Sequence, residues 1–203
     1  MTDLTRRPAT PLRALYDWTL GLAAHRHALT ALAFIAFIES SIFPIPPDVL
    51  LIPMVLAARE RAWRIATVCT AASVLGGGAG YAIGLFLFDT LGRWLLEIYG
   101  YMAQFDEFRN IYNEWGWWIV LMAGVTPFPY KVITIASGVT QLDFATFMGA
   151  SVVARGARFF LLAALLWQFG PPIRAFIERR LGLITIIGFA LLVGGFLAVK
   201  FVI

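Results

Sequence analysis

Long apolar stretches, separated by short polar or proline-rich segments, dominate the sequence. Apolar residues run almost without interruption over 63–88, 144–169 and 182–203. A helix needs about 20 apolar residues to cross a bilayer, and each of these stretches reaches that length. The pattern therefore predicts three transmembrane helices.

Two further regions contain apolar pieces that are too short to span. The pieces 28–43 and 49–58 are separated by Pro44, Pro46 and Pro47, and 117–126 and 132–142 by Pro127 and Pro129. Proline lacks a backbone donor and disfavours helical geometry in the residue before it. We therefore predict two re-entrant helical hairpins, over 28–58 and 117–142. Broken backbone at such depth requires surrounding protein or a wet cavity.

Two segments have the pattern of helices that lie in the headgroup layer. Residues 11–27 place apolar side chains along one face, and 89–116 carry Phe105, Phe108 and Tyr112 at helical spacing. Such amphipathic segments favour the membrane surface over its interior. We predict an interfacial amphipathic helix at each.

The order of hairpin and span occurs twice, at 28–88 and 117–169. A hairpin returns the chain to its starting side and a span moves it across, so the second unit must enter from the opposite face. This parity predicts an inverted repeat, an arrangement that places a binding site near the midplane of many transporters. The predicted fold is one all-α integral membrane domain over 1–203, with 182–203 as an extra transmembrane helix.

Composition and charge agree with a membrane location. The chain is 60% hydrophobic and 14% charged, and its net charge is +4. The basic residues lie beside apolar stretches, which indicates contact with the membrane surface and not with nucleic acid. The predicted topology places ten basic residues on the first side: Arg6, Arg7, Arg13, Arg26, Arg59, Arg61, Arg64, Arg174, Arg179 and Arg180. Only Arg93, Arg109 and Lys200 fall on the other side, which predicts a cytoplasmic N-terminus and an external C-terminus.

Five charged residues lie inside the apolar stretches: Glu39, Asp48, Lys131, Arg155 and Arg158. A charge near the bilayer centre costs at least ~2.5–3.5 kcal/mol on insertion scales. Charges retained at that cost mark a pathway, a relay or a binding site.

The two acids each allow two interpretations. Glu39 is either a cavity-facing carboxylate that exchanges protons or one half of a static ion pair with an arginine. Asp48 follows the first proline break, so it either shares in proton coupling or caps the helix that begins there.

The three cations are candidates for binding a lipid phosphate. Arg155 and Arg158 are three residues apart and share one helix face, and guanidinium groups match phosphate oxygens. Alternatively, both arginines pair with Glu39 and Asp48. Lys131 then supplies a surplus positive charge, either at the tip of the second hairpin or directed to the surface.

The sequence offers little for catalysis. Cys69 is the only cysteine, and the two histidines, His25 and His27, fall at the end of the predicted N-terminal helix. A lipid phosphatase requires a nucleophile or a metal-binding cluster. We expect no enzyme, no metal and no cofactor. An ion- or proton-coupled carrier of small solutes and a non-catalytic scaffold are the alternatives to a lipid transporter.

The stretch from Glu39 to Asp48, Glu-Ser-Ser-Ile-Phe-Pro-Ile-Pro-Pro-Asp, resembles a motif of the DedA family, also called the VTT or SNARE-associated domain family. The second proline break and the late arginine-bearing span extend the resemblance over 28–170. It implies two re-entrant hairpins that face each other in the bacterial inner membrane and that move lipids. Phospholipids and undecaprenyl phosphate are the implied substrates, and the proton-motive force is the implied energy source. Glu39 and Asp48 match the family's acidic pair.

The second hairpin departs from the family pattern. Many members have Arg-Phe-x-Pro-x-x-Arg there, whereas this chain has Gly124 and Tyr130 at the arginine positions and Lys131 one place later. It is similar to the YqaA-like branch. We hypothesise that Arg155 and Arg158 compensate. A strip of glycines at 76, 80 and 84 serves either an internal helix contact or a homodimer.

Overall fold

The computed structural model describes residues 27–43, 46–126, 128–170 and 172, and the regular elements in these ranges are all helices. The α-helices are α1 (Ala28–Ser41), α2 (Asp48–Ala57), α3 (Ala62–Leu87), α4 (Arg93–Tyr99), α5 (Met102–Glu114), α6 (Gly116–Val125), α7 (Tyr130–Val139) and α8 (Phe144–Gly170). The predicted helix over 11–27, the span over 182–203, Pro44 and Pro127 lie outside the described residues.

Two of these helical segments are long and apolar enough to cross a membrane. One runs for 41 residues over Arg59–Tyr99, and the other is α8 with 27 residues. The first is longer than the predicted span 63–88, because α3 continues through a π-helical turn at Phe88–Gly92 into α4. It ends at Gly100, whose φ of 70° is in the left-handed region that terminates helices.

Four short apolar helices flank the two proline breaks. Helix α1 has 14 residues, and α2, α6 and α7 have 10 each, so each is shorter than a bilayer-spanning helix. Pro47 and Pro129 directly precede α2 and α7, where the missing N–H of proline costs no helical hydrogen bond. The breaks therefore lie where the prolines predicted them. The re-entrant course of these helices in a bilayer stays a prediction.

Each long helix is flanked by short helices from both units. Helix α3 packs against α1 of its own unit and α7 of the second. Helix α8 contacts α6 of its own unit, where Gly124 faces Ala154, and α2 of the first, where Asp48 meets Arg158. Each long helix thus packs against the first short helix of its own unit and the second short helix of the other unit. A two-fold relation between the two units would produce this arrangement.

Two clusters of buried apolar side chains lie along α8, one on each side of Arg155. One joins α1, α2, α3 and α8 through side chains such as Leu32, Leu51 and Phe159. The other includes Tyr130 on α7 and Phe147 on α8. Arg155 lies on α8 between Phe147 and Phe159 and so falls between the two clusters along that helix.

Helix α5 is attached to α7 by polar contacts. The Tyr112 hydroxyl lies 3.0 Å from Ser137 Oγ, and Arg109 Nε and Asn113 Nδ2 both donate to the Thr140 carbonyl, at 3.0 and 3.1 Å. These bonds satisfy a carbonyl at the end of α7 that has no partner within its own helix. They hold the predicted interfacial segment against the second hairpin.

Candidate functional site

Glu39 on α1 and Arg155 on α8 form an ion pair inside the helix bundle. Arg155 Nη2 donates to Glu39 Oε2 at 2.9 Å, and the two side chains are 3% and 14% exposed. The ion-pair interpretation of Glu39 describes this geometry. Proton exchange by Glu39 stays a prediction.

Two serine hydroxyls complete the network around this ion pair. Arg155 Nε donates to Ser73 Oγ at 2.6 Å, and Ser40 Oγ donates to Glu39 Oε2 at 3.0 Å. The two hydroxyl oxygens are 2.7 Å apart. Since Ser40 gives its proton to Glu39, Ser73 must donate to Ser40. The four groups form a closed ring, in which each hydroxyl both donates and accepts.

Aromatic rings cover the Arg155 guanidinium. Its central carbon lies 4.8 Å from the centre of the Tyr130 ring and 4.6 Å from that of Phe159. Both rings are fully buried, and the Tyr130 hydroxyl donates to Ser151 Oγ. Cation–π attraction strengthens when the cation is desolvated, so these rings offset part of the cost of burying Arg155.

Arg158 connects the two helix breaks. Its Nη2 donates to Asp48 Oδ2 at 2.7 Å, just after the first break, and its Nη1 donates to the Thr126 carbonyl at 2.8 Å, just before the second. The Arg158 and Asp48 side chains are each 23% exposed, considerably more than Arg155. The N-cap of α2 is Pro47, and Asp48 is the first residue of the helix. Asp48 Oδ2 accepts from Arg158, and Oδ1 has no hydrogen-bond partner among the described residues, so the capping interpretation does not describe this structure.

Lys131 forms no ion pair with a carboxylate in the described part of the chain. Its Nζ lies 3.4 Å from the carbonyl oxygen of Ile42, which brings the second unit against the first break. Nearby, Thr134 Oγ1 donates to the Ser40 carbonyl at 3.0 Å. Because Arg155 and Arg158 both pair with acids, the surplus positive charge of the predicted set resides on Lys131.

The structure explains the two departures in the second hairpin. A side chain at Gly124 would overlap Ala154 of α8, so there is no room for arginine at this position. Tyr130, at the other departure, is buried against Arg155. Near the second break, positive charge is carried by Lys131 of α7 and by Arg158 of α8, and compensation by the arginines stays a prediction.

Several residues of the network were missed by sequence reasoning. Ser40 and Ser73 carried a usable signal, because small polar residues inside apolar helices commonly bond to a neighbouring helix. Thr126 carried none, since it contributes a backbone carbonyl. Within the described ranges, no group of three or more His, Cys, Asp or Glu side chains is placed to hold a metal ion.

Comparison with known proteins identifies the family. A model of the VTT domain matches residues 45–168. The chain is 38% identical over 179 residues to an uncharacterized protein of Haemophilus influenzae, covering 88% of this chain and 91% of that protein. It is 37% identical over 168 residues to an uncharacterized protein of Histophilus somni, covering 81% and 87%. No solved structure matches the chain at a significant level. The chain therefore belongs to the VTT-domain family, the DedA family of membrane proteins.

Proposed function

We propose that this protein transports a phosphate-bearing lipid, such as a phospholipid or undecaprenyl phosphate, across the bacterial inner membrane. The observation that carries the proposal is the position of Arg158, whose guanidinium joins both helix breaks. A guanidinium pairs with phosphate oxygens as readily as with a carboxylate. An anion that binds there would contact both units of the fold at once.

The two arginines have different roles in this proposal. Arg158 is partly exposed and is the arginine that an arriving phosphate reaches first, with Lys131 as a second cation. Arg155 is enclosed by Glu39, Ser73 and two aromatic rings. It holds α1 against α8, and it contacts phosphate only when its pair with Glu39 opens.

Proton coupling follows from the exchange of anions. When phosphate replaces Asp48 on Arg158, the partly exposed carboxylate is left without its cation, and its Oδ1 atom is buried with no hydrogen-bond partner among the described residues. An unpaired charge in such a place is costly, and taking up a proton removes that cost. Reversal of this step releases the phosphate. Glu39 exchanges with its arginine in the same way.

Transport is favoured over catalysis by the residue types at hand. The chain has one cysteine and two histidines, and the histidines precede α1.

The excess of basic residues on the predicted first side orients the N-terminus toward the cytoplasm.

The test is a lipid-transport assay in reconstituted vesicles. Fluorescent phosphatidylglycerol would be followed from one leaflet to the other by quenching, with and without a pH gradient. The Lys131→Gln/Arg158→Gln double variant should lose transport, because it removes both partly exposed cations that the described part of the chain places at the breaks. Arg61→Gln, which removes an exposed cation at the start of the Arg59–Tyr99 helix, serves as the control.

Two outcomes would contradict the proposal. Wild-type lipid transport in the double variant would remove the phosphate site. An ion current without any lipid movement in the wild-type protein would favour a small-ion carrier instead.

A further inference from the structure

A cleft opens between the two helices of the second hairpin. It has a volume of about 290 Å³ and is lined by Ile119, Met122, Ala123, Thr126, Phe128 and Ile133. Three of these residues, Ile119, Met122 and Ala123, are spaced so that they lie on one face of α6, and Thr126 follows directly after that helix. The volume is just below the roughly 300–1,000 Å³ found for small-molecule sites, and the cleft is largely open.

The lining has almost no capacity for hydrogen bonding to a ligand. Thr126 is its one polar residue, and the Thr126 hydroxyl already donates to the Ala123 carbonyl at 3.3 Å. The Thr126 carbonyl is taken by Arg158. A polar ligand would lose its hydrogen bonds to water here without replacement. A hydrocarbon loses none, so the lining favours an aliphatic chain.

The lining adjoins the cations of the candidate site. It includes Thr126, whose carbonyl accepts from Arg158, and it includes Phe128 and Ile133, which lie on either side of Lys131 in sequence. An anionic group would be attracted to these cations, and a hydrocarbon chain attached to it would reach the cleft.

We propose that this cleft binds one hydrocarbon chain of the lipid whose phosphate contacts Arg158 and Lys131. The inference rests on the proposed function and adds a site for the tail of the substrate. Met122 is 62% exposed at the edge of the cleft. Its flexible thioether adapts to chains of different shape.

Photolabelling distinguishes this lipid from the surrounding bilayer. The protein would be placed in vesicles of a phosphate-free galactolipid with phosphatidylglycerol that carries a diazirine in one acyl chain, or with diacylglycerol that carries the same chain. The phosphatidylglycerol probe should label residues 119–133 several-fold more, and unlabelled phosphatidylglycerol should compete with it. Equal labelling by the two probes would mean that ordinary bilayer lipid fills the cleft, and would overturn the inference.

A substitution that fills the cleft gives a second test. Ile119→Trp should reduce labelling about tenfold, since the larger ring displaces roughly two methylene groups of the bound chain. Val125→Trp adds the same ring to an exposed position of α6 outside the lining and should have no effect. Unchanged labelling in Ile119→Trp would count against the cleft. Should that variant not fold, Ala123→Val makes a smaller change, which should weaken labelling in the same direction.

The inference and the proposed function can fail separately. Labelling that does not depend on the phosphate, with transport still lost in Lys131→Gln/Arg158→Gln, overturns the tail site alone. Transport that persists in that double variant overturns the proposed function, whatever the labelling.

Discussion

Arg155 is the most constrained charged residue among those that the structure describes. Its guanidinium meets a carboxylate, a hydroxyl and two aromatic rings, and its side chain is 3% exposed. A buried ion pair adds little net stability, because desolvation offsets most of the Coulomb attraction. Removing one member is different, since the other is left charged and without a partner.

Arg155→Met should therefore destabilise the protein by roughly 3–5 kcal/mol, because it leaves Glu39 without its cation. Thermal unfolding in detergent, followed by tryptophan fluorescence, would measure the loss. Adding Glu39→Gln to the same protein should recover part of the stability, since the unpaired charge is then removed. A double variant as unstable as Arg155→Met would show that packing, and not charge, dominates at this site.

At the scale of elements, glycines allow α3 to approach its neighbours closely. A methyl group on Gly76 would overlap the carbonyl of Phe37 in α1, and one on Gly84 would overlap the carbonyl of Ile135 in α7. The strip of glycines is therefore occupied by contacts within the chain. The proposed homodimer would need a different surface.

Gly84→Ala should cost about 1–3 kcal/mol, because the added methyl group meets backbone that cannot turn away. Gly78→Ala is the matched control on the same helix, since its methyl group would lie 3.7 Å from Met148 Sδ, an ordinary contact. That control should be neutral or gain up to about 1 kcal/mol from helix propensity. Thermal unfolding of both variants measures the difference. Equal effects would mean that α3 and α7 can separate without cost.

Asp143 fixes the start of α8. Its Oδ2 accepts from the Thr146 backbone N–H at 2.7 Å and from the Thr146 hydroxyl at 2.8 Å. These two bonds lower the pKa of the Asp143 carboxyl below its ordinary value, and the bond from the backbone N–H has the larger effect. The charged form is thus favoured in the folded protein, as in other aspartates that cap helices.

The contribution of Asp143 to stability should depend on pH. Because the pKa is lowered on folding, the contribution is complete above the ordinary aspartate value of about 3.9 and is lost as the pH falls through the lower folded value. The difference in melting temperature between wild type and Asp143→Ala should therefore be constant near neutral pH and should shrink below pH ~4. Glu107→Ala, at an exposed acid on α5, is the control. A difference that is the same at all pH values would exclude the carboxylate as its source.

At the scale of the whole molecule, the two units meet at their breaks. Three side chains of the second unit bond to the first unit near its break. Arg158 donates to Asp48, Lys131 to the Ile42 carbonyl and Thr134 to the Ser40 carbonyl. If lipid passes between the breaks, these bonds must open during transport. The structure is then one state of a cycle.

Linking the breaks should stop transport. In an Ile42→Cys/Lys131→Cys variant, which keeps Arg158, a short, reducible thiol crosslinker would hold the two breaks together. Reduction should return lipid movement to the level of the same variant before crosslinking. Cys69 is fully buried and is expected to remain unreactive. The single-cysteine variants treated with the same reagent are the controls. Normal transport in the linked protein would mean that the lipid does not pass between the breaks.

The predicted orientation can be tested across the Arg59–Tyr99 helix. Arg61→Cys lies at its beginning and Tyr101→Cys just after its end, and both positions are exposed. An impermeant maleimide added to intact cells, after permeabilisation of any outer membrane, should label Tyr101→Cys and spare Arg61→Cys, since basic residues favour the cytoplasmic side. The reverse pattern would invert the proposed topology.

The sequence by itself determined the elements that depend on local chemistry. The lengths of the apolar stretches indicated long helices near 63–88 and 144–169, and the prolines placed both breaks, because a missing N–H acts on its own segment whatever surrounds it. Charges in apolar stretches marked Glu39, Asp48, Lys131, Arg155 and Arg158 as a set, since their cost of burial does not depend on the details of packing. The first long helix continues past residue 88, where the predicted span ends, because no Pro or left-handed Gly interrupts it before Gly100.

Only the tertiary structure decided how the set is connected. Arg155 and Arg158 share one face of α8, so either could have paired with either acid. The pairs found join residues 116 and 110 positions apart along the chain. The choice depends on where α1 and α2 lie against α8, and on partners that carry no local signal, such as the carbonyls of Ile42 and Thr126. The positions and orientations of the packed helices select these bonds, and they follow from the packing of the whole molecule.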